Sequence, residues 1–140
     1  MKFTLAAASL FAATALFAQA PASKVTYAAR DKVEAGGTLA TGQDHRVSIL
    51  RRTGPGQVEV HEKETDIFYI LDGEATFMTG GTVIGGKTTE PGEVRGSDLK
   101  GGETFHLTKG DVIVIPAGTP HWFKAVPQAI RYHMVKVIKP

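Results

Sequence analysis

Beyond Pro21 no stretch of the chain sustains an apolar period of 3.6 residues. Short runs of β-branched and aromatic residues recur instead: Arg46–Leu50, Val58–His61, Ile67–Leu71, Ala75–Thr79, Thr104–Leu107, Val112–Ile115, His121–Ala125 and Ile130–Ile138. Turn residues separate them, and the 16 Gly and 7 Pro among 140 residues suit many short strands better than long helices. Leu71-Asp72-Gly73-Glu74 predicts a hairpin turn, because Asp-Gly tolerates the positive φ angles of type I′. Lys109-Gly110-Asp111 and Pro116-Ala117-Gly118-Thr119-Pro120 predict two further turns. The expectation is an all-β antiparallel sandwich or barrel forming one domain over residues 21–140. Gly80–Gly102, with eight Gly and one Pro, reads as a long loop or loose hairpin between two strand clusters.

The first twenty residues read differently. Lys2 precedes an apolar run, Leu5 to Phe17, and Ala18-Gln19-Ala20 supplies the small-x-small pattern that signal peptidases cut. That run is shorter than the roughly 20 residues a membrane span needs. A cleaved signal peptide over residues 1–20 is expected, leaving a soluble periplasmic or secreted domain with no membrane partner. A net charge of +2 is too small to suggest a nucleic-acid partner. With no Cys, disulfide scaffolds, thiolate metal sites and Cys nucleophiles are excluded.

Five His are spread along the chain, and two sit in chemically suggestive settings. Glu59 and His61 are two apart, so on a strand they share a face, and Asp66 opens the next strand. An acid, an imidazole and a second acid at a hairpin base form an O/N set suited to a metal. The alternative arrangement turns Val58 and Val60 to the core and leaves Glu59 and His61 in solvent. His121 follows the apolar run 112–115 and the Pro116–Pro120 turn, where Pro116 ends ladder donation and Gly118 permits a tight reversal. That arrangement aims one imidazole at the start of a new strand.

These two segments resemble the paired motifs of the cupin superfamily, small β-barrels of the jelly-roll, double-stranded β-helix type. Gly110, Pro116, Gly118 and His121 match the second motif at its spacings, with Ala125 where the family has Asn. In the first motif, counting back from Gly73 puts Asp66 at the Glu position, His61 at the second His and Glu59 at the first His. The resemblance implies a divalent transition metal (Mn, Fe, Ni, Cu or Zn) inside the barrel, held here by Glu59, His61, Asp66 and His121. Asp66, one methylene shorter than Glu, would reach it directly or through water. It also implies a small-molecule substrate or ligand and pairing as a homodimer.

The leading functional expectation is a secreted metal-dependent enzyme of oxygenase, isomerase or lyase type, with its catalytic residues unassigned. The alternative is a non-catalytic small-ligand-binding cupin with a degenerate metal site, favoured by the altered first motif and Ala125. Elsewhere His45 and His106 are read as solvated, and His133 as an outer-face residue. Arg51 and Arg52, at one mouth of the expected barrel, are read as a solvated pair, the alternative being attraction of an anionic substrate. Tyr69 is read as packing, and Trp122 as covering a sheet face or a subunit interface.

Overall fold

A computed structural model describes residues 24–139, so the expected signal peptide lies outside the described residues. A six-residue helix, α1 (Arg30–Ala35), precedes twelve strands. They are β1 (Gly37–Thr41), β2 (His45–Arg52), β3 (Val58–His61), β4 (Glu64–Thr79), β5 (Thr82–Ile84) and β6 (Lys87–Glu90). After them come β7 (Glu93–Gly96), β8 (Asp98–Lys100), β9 (Glu103–Thr108), β10 (Val112–Ile115), β11 (His121–Ala125) and β12 (Ile130–Ile138). Every strand pairing is antiparallel, and ten strands join through β4 in one continuous sheet of jelly-roll type, with β1 and β6 at the ends of its path. The all-β expectation holds. Among the described residues no helix is long and apolar enough to cross a membrane.

The expected hairpin at Asp72-Gly73 does not form. β4 runs through it for sixteen residues. Its first half pairs with β12 and β10, its second half with β9 and β11. Gly73 has φ +77°, the positive angle that the dipeptide predicts, but spends it on a corner where the strand passes between the two halves of the barrel. The register against β12 also slips there, between Arg131 and Tyr132, the mark of a bulge that bends the strand. Of the two expectations for Gly80–Gly102, the hairpin is the one observed: β5 pairs with β8 and β6 with β7, both antiparallel. β7 lies against β3, so the excursion becomes part of the barrel wall.

Alternation along the strands sorts inside from outside. On β12, Ile130, Tyr132 and Met134 face inward and meet Phe68, Ile70, Phe77, Leu107 and Phe123 in the main core. Val58, Met78 and Leu99 form a smaller cluster, with Val83 and Trp122 against it. Tyr69, 45% exposed, points outward as its parity predicts, but it does not pack inside the core.

Candidate metal centre

β3 turns its two kinds of residue to opposite sides. Val58 is fully buried in the smaller cluster, which leaves Glu59 and His61 facing the barrel interior rather than solvent. Asp66, on the inward face of β4, lies opposite Ile115 on one side and Lys136 on the other. His121 begins β11 and is registered against Glu59. The turn before it is closed by Thr119 N–H donating to the Pro116 carbonyl at 3.0 Å, with Gly118 at φ +82°. Gly118 N–H donates to the His61 carbonyl at 2.8 Å, so the turn that aims one imidazole is fastened to the backbone of the other.

The four side chains converge. His61 Nε2 lies 3.5 Å from both Glu59 Oε2 and Asp66 Oδ2, and His121 Nε2 lies 3.8 Å from the same two oxygens. One ligand atom each from Glu59, His61 and His121 falls within 4.8 Å of the others, a group that can hold a metal ion. Ligand bonds of about 2.0–2.2 Å in a tetrahedral array set donor atoms roughly 3.3–3.6 Å apart, close to the spacing seen here.

Each side chain is also held from behind. His61 Nδ1 is 2.6 Å from Glu93 Oε1, and His121 Nδ1 donates to the Thr119 carbonyl at 3.1 Å. Glu59 gives its other oxygen to Arg95, and Asp66 gives Oδ1 to Lys136 Nζ at 2.8 Å. Tying the far atom of a ligand fixes the orientation and, for histidine, the tautomer. The near atoms are left facing one another, and His121 Nε2 is buried without a hydrogen-bond partner. A buried, orphaned nitrogen among carboxylate oxygens is what a cation would satisfy.

The same neighbours set the electrostatics of the site, and a metal at His61 would have to displace the proton that its acidic neighbours favour. Burial pushes the Glu59 carboxyl up, but the facing His61, Arg95 and His121 outweigh it and hold it down to about 2. Burial lowers the His121 pKa, which keeps that ring neutral and able to ligate. Burial also opposes a proton on His61, yet Glu59, Asp66 and Glu93 overcome it and raise its pKa. Four carboxylates (Glu59, Glu64, Asp66, Glu93) are joined by ion pairs to two cations, Arg95 and Lys136. Within this ion-paired group the carboxylates outnumber the cations, while Arg46, Arg52 and Glu90 line the same cavity.

Glu93, Arg95 and Lys136 escaped the sequence reading. Lys136 was visible in principle, because it shares parity with the inward Tyr132 and Met134. Glu93 and Arg95 reach His61 and Glu59 only through the β3–β7 pairing of segments far apart in sequence. The remaining His are peripheral: His45 is exposed beside Asp44, His106 is exposed beside Glu74, and His133 lies on the outer face between Tyr69 and Ile49. Trp122 packs against the smaller cluster and donates its indole N–H to the Gly56 carbonyl at 2.8 Å. Arg51 and Arg52 do not behave as a pair: Arg51 is exposed, whereas Arg52 turns inward. All four converging residues line a cavity of about 670 Å³ that also reaches Arg52, Phe123 and Tyr132.

The profile described as "Cupin domain" matches residues 46–135, well over half the chain. The chain belongs to the cupin family. Solved structures agree on the fold. A protein from Bacillus halodurans superposes with a TM-score of 0.58 at 14% identity, covering 83% of this cupin and 88% of the other chain. KdgF from Halomonas sp. gives 0.54 at 18%, covering 75% and 78%. The Cnp3 cupin domain of Schizosaccharomyces pombe gives 0.53 at 15%; it covers 74% of this chain, which spans only 60% of that one. At such identities the likeness is one of architecture. No curated protein matches the sequence of this cupin.

Proposed function

We propose that this cupin is a metal-dependent enzyme that acts on a small molecule bound in its barrel. In this reading a divalent transition metal is held by Glu59, His61 and His121, with Asp66 Oδ2 facing the same point. The supporting observation is that all four side chains are tied at their far atoms and turn their near atoms together. An ion held there would supply Lewis acidity, polarising an oxygen of the bound molecule. Two carboxylate ligands alone would offset a divalent charge and blunt that acidity. Arg95 and Lys136, each drawing on one of those carboxylates, counter the effect. Glu93 keeps the His61 ring oriented, and Tyr132, whose pKa burial raises, stays protonated on the cavity wall as a hydrogen-bond donor.

Untagged protein purified without chelator is expected to carry about one equivalent of transition metal by elemental analysis. His121→Ala should lose most of it while keeping its circular dichroism. A parent that folds and retains no metal would instead assign the non-catalytic, ligand-binding role. We also propose that the domain works outside the cytoplasm. Expression with the native leader should give a secreted or periplasmic product whose intact mass begins at Pro21, and an uncleaved cytoplasmic product would refute this.

A further inference from the structure

Arg52 is the cation that the metal reading leaves without a task. Arg95 and Lys136 each hold two carboxylates, and Arg46 lies within the field of Glu64. Arg52 takes part in no ion pair among the described residues, and its Nε is buried with no hydrogen-bond partner. The side chain is partly exposed and its polar neighbour is the Tyr132 hydroxyl, so no carboxylate takes up its charge and the guanidinium remains open to an anionic ligand.

The guanidinium is also held in place. Parity along β2 points Arg52 inward with Ser48 and Leu50. Its Cζ sits 5.0 Å above the Phe123 ring. On another side lies Gly56, where an added Cβ would come 2.7 Å from Nη1. Gly56 is itself clamped to β11, donating to the Phe123 carbonyl at 3.0 Å and accepting from Trp122 Nε1 at 2.8 Å. A planar fork fixed by stacking suits bidentate capture of a carboxylate. Phe123 is two residues along β11 from His121 on the same inward face, about 7 Å of strand. Leu50, Phe68 and Phe123 supply apolar wall beside the fork.

We propose that Arg52 is the anchor for a small carboxylate with an apolar body, bound so that its far end faces the His61–His121 pair. The anchor stands on Arg52 alone; only the placing of the far end rests on the metal reading. Titration calorimetry with benzoate, and with hexanoate as a flexible counterpart, tests it on metal-loaded and chelator-treated protein. Benzoate should bind the parent, and Arg52→Met should weaken it about 10- to 100-fold with metal content unchanged. Arg52→Lys should recover only part of the loss, because the charge returns without the fork. Benzamide, the neutral isostere, should bind no better to the parent than to Arg52→Met.

Two results overturn the anchor: neither acid binding the parent at millimolar concentration, or equal benzoate affinity in parent and Arg52→Met when both melt alike. Affinity that depends on Arg52 but survives chelation supports the anchor and separates it from the fate of the metal reading.

Discussion

Replacing Lys136 with methionine should cost the chelator-treated protein about 3–5 kcal/mol of stability in urea denaturation. Lys136 is 5% exposed, and its ammonium joins Glu64 at 2.6 Å to Asp66 at 2.8 Å. Methionine preserves most of the side chain's volume, so the loss falls on charge. It leaves Asp66, itself 2% exposed, without its lysine partner and facing only His61, with Glu59 across the cavity. Breaking a buried pair from one side is far more costly than never having formed it.

The same substitution frees Asp66 Oδ1 and makes the site more negative by one charge. Added Zn²⁺ should therefore restore much of the lost stability, with a larger rise in melting temperature for Lys136→Met than for the parent. A variant as stable as the parent in chelator would show that the lysine carries no buried charge pair. A large loss that Zn²⁺ does not repair would show that Asp66 faces no ion. The two halves of the prediction thus fail separately.

Lys136 also shows where sequence reasoning reached the site and where it stopped. Strand parity is a local property, and it placed Glu59 with His61, while the Pro116–Gly118 turn aimed His121 as its residues imply. Parity on β12 applies equally to Lys136, but a lysine in a strand ordinarily signals solvent, and only the carboxylates brought by β4 reverse that expectation. Glu93 and Arg95 were harder. They stand on a four-residue strand inside a glycine-rich stretch, too short for a period to register, and their meaning comes from β3 lying alongside. Arg51 and Arg52 look alike in the sequence, yet opposite parity sends one to water and the other into the cavity. Parity, a local pattern, sets which way Lys136 and Arg52 point, but non-local pairing decides what Lys136, Glu93 and Arg95 meet there.

Gly73→Ala is expected to destabilise the fold by about 3 kcal/mol or more, and the comparison with Gly110→Ala isolates the reason. Both glycines have positive φ, +77° and +96°, so each pays the penalty of an L-residue there, about 1–2 kcal/mol. At Gly110 an added Cβ meets nothing within 4 Å. At Gly73 it would collide with the Ala129 carbonyl, and relief requires moving the backbone that leads into Ile130, a fully buried core residue. The difference between the two variants in urea denaturation is therefore the steric cost of the corner itself. Equal losses would mean that β12 can retreat without penalty and that the corner is not what closes the barrel. The corner matters for the site because β4 serves both halves: Asp66 lies before it, and Phe77, whose ring packs 6.1 Å from that of His121, lies beyond it. A dipeptide that locally signals a hairpin thus keeps Asp66 and the Phe77 ring that packs against His121 on one strand.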